Sequence, residues 1–211
     1  MSKRSDASPA TIIPPLFSMA LRSCMKRKKN VKCGIIVDVR APLEHKTMHN
    51  CIFSKEITYI DKFDHMKFEL VSTIYRTILN LAVEKENVVG VATDNVDLIG
   101  NITKRRNKTI IKSLAKVFSS LMKNKTTDVT FTYLGRIDYG EEVNKHIKNY
   151  IFMSWTDFGY CNIAAVDLKG EFSLIINEAY QDEQIIPKFI DISYKLGLEI
   201  KEVDSFDYLK S

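Results

Sequence analysis

From residue 129 onward the hydrophobic period of the chain is two, and that alternation limits what the chain can fold into. Val129, Phe131 and Tyr133 point one way and Thr130 and Thr132 the other, the pattern of a strand with one face on a core. Further strand-like runs follow at residues 150–155, 161–166 and 172–176. Asp167–Leu168–Lys169–Gly170 reads as a hairpin turn between the last two. A short helix over residues 186–196 closes the run and stops at Gly197. A sheet built this way needs a covering layer, and the first half of the chain supplies one.

Ser8–Pro9–Ala10–Thr11 has the cap and first-turn proline of a helix start. Ile12, Ile13, Leu16, Phe17, Ala20, Leu21 and Cys24 follow at helical spacing. Pro14 and Pro15 leave open whether this helix begins at Pro9 or only after them. Lys26–Arg27–Lys28–Lys29 reads as a cationic last turn that offsets the helix dipole, with a nuclear-localisation or nucleic-acid role as the competing reading. A buried strand is expected over residues 34–40, and a second strand, or a pair, over 51–53 and 57–60. After a turn at Asp61–Lys62–Phe63–Asp64 comes an amphipathic helix whose inner face is expected to hold Met66, Leu70, Ile74, Ile78, Leu81 and Ala82. Val88–Val89–Gly90–Val91 fits either a strand or a helical turn, residues 95–108 read as a loop, and a further helix is expected over 110–122. The expected architecture is α/β: a single mixed, mostly antiparallel sheet covered by helices. Residues 1–8 read as a frayed start, 9–205 as one folded unit and 206–211 as a tail.

A chain of 211 residues with 45% hydrophobic content can bury one such core. The net charge of +5 is compatible with acidic partners but selects none. Cys24, Cys33, Cys51 and Cys161 form no C-x-x-C pair or zinc-like spacing, and His45, His49, His65 and His146 form no ligand pattern, so no metal site is expected. No export signal follows Met1, and no run approaches the roughly 18 apolar residues of a membrane span. Unpaired thiols in such a chain point to a cytoplasmic setting. The basic clusters at residues 26–29 and 104–108 lie far apart, and the aromatics sit in core periodicity, which disfavours nucleic acid as a partner.

The order of these segments resembles the C-terminal lobe of the condensation-domain and alcohol-acetyltransferase superfamily, the relatives of chloramphenicol acetyltransferase. Residues 8–29 resemble the helix that opens that lobe, and Val37–Asp38–Val39–Arg40 resembles its strand ending in Asp-x-Arg. Asn50 falls where those proteins carry a Gly-Asn pair, with His49 in place of the Gly. Thr132–Tyr133–Leu134–Gly135 takes the place of their Ser-Asn-Leu-Gly, matching at Leu134 and Gly135. The strand from Gly170 to Ile176 and the helix ending at Gly197 resemble the last two elements of the lobe, so the likeness covers about residues 8–204. Asp157–Phe158–Gly159, preceded by Trp155, is similar to the Asp-Phe-Gly-Trp-Gly motif of the plant members, but Tyr160 and Cys161 replace its Trp-Gly. The resemblance implies a channel between two lobes, with an acyl-CoA or a phosphopantetheine thioester entering as co-substrate and no bound cofactor. It implies lobe-shaping or channel roles for Asp38, Arg40, Asn50, Thr132, Tyr133, Gly135, Trp155 and Asp157. The small-molecule acceptor would be a hydroxyl or an amine.

The His-His-x-x-x-Asp-Gly motif that supplies the general base in that superfamily occurs nowhere in this sequence. His49 is the candidate for a base of the chain's own, although no Asp stands at a diagnostic spacing from it. No nucleophile elbow, Walker loop or dinucleotide fingerprint is present. Two functions follow as expectations. One is the second lobe of an acyltransferase, inactive until a partner lobe carrying the motif joins it, with a bare face prone to self-association. The other is a non-catalytic binding or scaffold module that kept the fold.

Overall fold

The computed structural model describes residues 8–25, 29–44, 52–90, 127–147, 161–168, 171–178 and 184–200. Helix α1, Pro9–Cys24, begins at the first proline, although Pro14 and Pro15 both lie inside it. Each proline removes a bond to the carbonyl four residues back, a cost that burial offsets. Both prolines are buried, and Leu16, Phe17 and Ala20 are fully so. The carbonyl of Ser8, not its hydroxyl, caps the start: it accepts the Thr11 N–H and the Thr11 hydroxyl, each at 2.9 Å. The helix stops at Cys24, with Met25 extended, short of the cations expected in its last turn, of which residues 26–28 lie outside the described residues. Arg22 is the base in the last turn, and Lys29 instead pairs with Asp128 at 3.5 Å.

Strand β1, Val31–Asp38, starts three residues earlier than expected and ends before Arg40. Strand β2, Ile52–Tyr59, is one continuous strand. It leads through a 3-10 turn, Asp61–His65, into helix α2, Phe68–Ala82. Of the six residues expected on the inner face of α2, Ala82 alone is buried. Phe68, Val71, Ser72, Tyr75, Leu79 and Ala82 are buried, while Leu70 and Leu81 are each 50% exposed. Two stripes at helical spacing compete on this helix, and the stripe with two aromatic rings removes more apolar area from water. Met66 and Ile78 still pack half-buried against the core. Residues 85–90 are helical, which settles Val88 as part of a helical turn. The helix expected over 110–122 and the strand expected over 150–155 lie outside the described residues, as do the two termini.

Strand β3, Val129–Ile137, is followed by a four-residue helix, α3, Glu141–Asn144. Strands β4, Cys161–Leu168, and β5, Glu171–Glu178, form the expected hairpin, with Asp167 and Leu168 inside the strand rather than in the turn. Helix α4, Ile185–Lys195, ends the described fold, and Gly197 follows at φ +74°. The five strands lie in the order β2-β1-β3-β4-β5. Edge pairs β1–β2 and β4–β5 are antiparallel, and central pairs β1–β3 and β3–β4 are parallel. The sheet is therefore mixed as expected but not mostly antiparallel, with parallel and antiparallel pairs in equal number among the described strands.

Helices α1, α2 and α4 cover one face. Phe17 and Phe189 meet there with ring centroids 5.4 Å apart, over Val31, Cys33, Ile35, Val129, Phe131, Cys161 and Ile163. Burying one such phenylalanine contributes about 2–3 kcal/mol. Asp128 ties β1 to β3 by accepting the Lys32 N–H at 2.8 Å, while its own N–H bonds the Lys32 carbonyl at 2.8 Å. Cys33 and Cys161 both face this core with Val129 between them in register. Two strand spacings, about 9.6 Å, separate them, too far for a disulfide.

Candidate functional site

In an open α/β sheet the place to look for a site is the carboxyl end of the parallel strands. Here those are β1, β3 and β4, and their ends bring Asp38, Arg40 and the segment from Thr132 to Ile137 to one edge of the molecule. Asp38 closes on its own neighbour: one carboxylate oxygen accepts the Arg40 backbone N–H at 2.9 Å, the other the Arg40 guanidinium at 2.9 Å. Both side chains are about half exposed, so the clip contributes at most about 1 kcal/mol and leaves neither charge poised for chemistry. The Asp-x-Arg pattern thus closes on itself just past the end of β1.

Thr132 and Tyr133 point to opposite faces. Thr132 lies in register with Ile36 and Ala164, on the face away from α1, α2 and α4. Tyr133 lies beside Ala165 on the helix-covered face, but beyond the helices, and packs on Phe172 with ring centroids 6.3 Å apart. Between Tyr133 and Arg136 the register with β4 slips, so Leu134 and Gly135 together oppose Val166. Gly135 takes φ +75°, a conformation a side chain would strain, and this bulge re-aims the end of β3. Past it, an Asp138 oxygen accepts the Gly140 N–H at 2.9 Å and the Asn144 amide at 2.7 Å. Those two donors hold the exposed Asp138 carboxyl below its ordinary range.

His49, Asn50, Trp155 and Asp157 lie outside the described residues. The two described histidines, His65 and His146, are exposed. Burial pushes the Cys33 and Cys161 thiols well up, with nearby Asp128 and Glu178 adding to it, so neither is a nucleophile. Among the described residues no group of histidine, cysteine and carboxylate side chains could hold a metal ion, and no helix is long and apolar enough to cross a membrane. A depression of about 460 Å³ beside Tyr194, Gly197, Glu199 and Ile200 lies at the end of α4.

What distinguishes the carboxyl end is apolar exposure. Of ten large exposed hydrophobic residues among those described, six belong to it: Ile52, Tyr133, Leu134, Tyr139, Val143 and Phe172. Ile52 faces Asp38 across β1–β2, and Phe172 faces Asp167 across β4–β5, so both edge strands contribute. Sequence reasoning singled out Tyr133 here but passed over Phe172, Tyr139 and Val143. Tyr139 and Val143 sit in a stretch without regular alternation, where two apolar residues between charged ones were the available signal.

No protein-family profile matches the chain, and no curated protein matches it in sequence. Among solved structures, the fold is similar to the epimerization domain from the third module of tyrocidine synthetase B. The TM-score is 0.50 at 11% identity, and the match covers 93% of this chain and 42% of that one. The five-stranded sheet with its helices is thus a condensation-domain-like lobe, and the chain spans less than half the length of its structural neighbour.

Proposed function

We propose that this chain is the second lobe of an acyl-transferring enzyme of condensation-domain type, alcohol-acetyltransferase-like in its acceptor, and that it works only beside a lobe carrying His-His-x-x-x-Asp-Gly. The observation that carries the reading is the apolar carboxyl end, in a chain whose fold matches 42% of a larger relative and whose sequence lacks the base. Exposed apolar residues gathered at one end, with Arg136, Asp138, Glu141, Glu142 and Lys145 interleaved among them, fit a mixed surface that another lobe covers.

In the assembled enzyme the partner's second histidine takes the proton of an acceptor hydroxyl or amine as that atom attacks an acyl-CoA or phosphopantetheine thioester. The carbon–sulfur bond then breaks and the proton passes to the departing thiolate. This chain contributes wall: Thr132, Tyr133 and the Gly135 bulge, with Asp38 and Arg40 fixing the neighbouring strand. Asn50, Trp155 and Asp157 belong to the same proposed wall. His49 is not needed as a base.

The closed Asp38–Arg40 clip also fits a binding or scaffold module that kept the fold. Sedimentation velocity with a purified motif-bearing condensation-type lobe tests the docking. The lobe reading expects a one-to-one complex that Tyr133→Lys with Phe172→Lys abolishes. Wild type that stays monomeric beside such a lobe counts against it, and docking without acyl transfer favours the scaffold.

A further inference from the structure

Helix α2 carries two apolar stripes, and the core takes only one of them. Among the described elements α2 packs chiefly on α1 and β2, with Phe68, Val71, Tyr75 and Leu79 buried. The other stripe, Leu70, Ile74, Thr77 and Leu81, lies on the opposite side of the helix by its 3.6-residue turn. Leu70 and Leu81 are the 50% exposed leucines, with Thr77 exposed and Ile74 half-buried between them. Steps of four, three and four residues make the seam along which one helix packs on another. The threonines do not spoil it. The Thr77 hydroxyl donates to the Thr73 carbonyl at 3.0 Å, and the Thr73 hydroxyl to the Glu69 carbonyl at 2.8 Å. Neither donor would be left unpaired if another surface covered the seam.

The charges at its ends say what that surface is. Lys67 stands just before the helix and Glu84 just beyond it. Both are exposed, and among the described residues neither is in an ion pair. A second α2 laid antiparallel, with a twofold axis between Tyr75 and Arg76, sets Leu70 against the partner's Leu81 and Ile74 against the partner's Thr77. The same register sets Lys67 against the partner's Glu84, and the twofold makes each of these contacts twice. Antiparallel helix dipoles also attract. A parallel pair would instead oppose Lys67 to Lys67 and Glu84 to Glu84.

We propose that the outer face of α2 is a homodimer surface, joining two copies of this chain antiparallel through Leu70, Ile74, Thr77 and Leu81, with Lys67 and Glu84 fixing the register. One helix from each copy is a small interface, so the dimer dissociates at a concentration on the order of 100 μM. The face uses none of the residues proposed to meet another lobe and stands whether or not that reading does.

The test is sedimentation equilibrium on the full chain from about 10 μM to about 1 mM. The expected mass rises with concentration from one chain toward two. Lys67→Glu alone, or Glu84→Lys alone, turns two attractive contacts into repulsive ones and should weaken association about tenfold. An equimolar mixture of the two single variants should restore it, because each contact then again joins opposite charges. That rescue also excludes misfolding as the cause of the loss. Tyr133→Lys with Phe172→Lys should leave the dimer intact, which separates it from association through the carboxyl end. A chain still monomeric at about 1 mM overturns the proposal. So does a dimer that the charge variants leave unchanged, that mixing fails to restore, or that the Tyr133 and Phe172 variants abolish.

Discussion

Arg22→Met removes the charge of a nearly buried side chain while keeping much of its aliphatic stem. The Arg22 side chain is 5% exposed, and its guanidinium bonds Asp64 through Nε at 2.9 Å and reaches the Lys29 carbonyl through Nη1 at 2.8 Å. Breaking a wholly buried pair from one side costs about 3–5 kcal/mol, because the charge left behind has no partner. Asp64 is 24% exposed and recovers part of its hydration, which lowers that figure. The orphaned carbonyl adds to it, so the expected net loss is about 2–4 kcal/mol. At about 2–4 °C per kcal/mol for a chain of this size, the melting temperature should fall by about 5–15 °C. Urea unfolding followed by circular dichroism is the assay, with an unchanged slope showing that the native state kept its extent. A cycle with Asp64→Asn should give a coupling of about 1–3 kcal/mol. A loss below about 0.5 kcal/mol, or additive single variants, would refute a pair that ties α1 to the turn before α2.

Other consequences can be checked separately. Phe189→Ala empties one side of the Phe17 contact and should cost about 3–5 kcal/mol in the same urea assay, whereas Phe172→Ala, at an exposed position, should cost less than about 1 kcal/mol. Cys33 and Cys161 should resist iodoacetamide at pH 8 in the native protein and react on unfolding, which peptide mapping by mass spectrometry would show. The depressed Asp138 carboxyl stabilises the native state above its unfolded pKa, and that contribution disappears as pH falls through the lower folded value. Asn144→Ala removes one of the two donors, so a carboxyl NMR titration should find Asp138 moved up toward its ordinary range.

Much of the fold was legible because it rests on periodicity. The alternation at residues 129–133 and the β-branched run from Gly34 are strands, and the hairpin of β4 and β5 forms where the turn residues stand. The errors occurred where two local signals competed. In α2 the Leu70–Leu81 stripe and the Phe68–Tyr75 stripe have the same spacing, and only the packing of α2 on the sheet chooses between them. At the end of α1, four cations looked like a last turn, but the chain leaves the helix at Met25, and Lys29 meets Asp128, whose place depends on contacts far along the sequence. Arg22 went unnoticed although Thr11, Ser18 and Arg22 recur on one face of α1, a polar thread on a helix otherwise apolar there. The candidate site was legible in part. Asp38 with Arg40 and the Gly135 position lie together at the strand ends, while the apolar end that gives the site its meaning needed the sheet order to appear.

The proposed role of this chain is one lobe of a transferase whose base comes from a partner. Release of free CoA from acetyl-CoA, followed with a thiol reagent over a panel of alcohols and amines, tests it most directly. The chain alone, a lobe carrying His-His-x-x-x-Asp-Gly alone, and the two together make the three arms. Turnover only in the mixture, lost with Tyr133→Lys and Phe172→Lys in this chain, is the predicted result. Turnover by this chain alone would contradict the account.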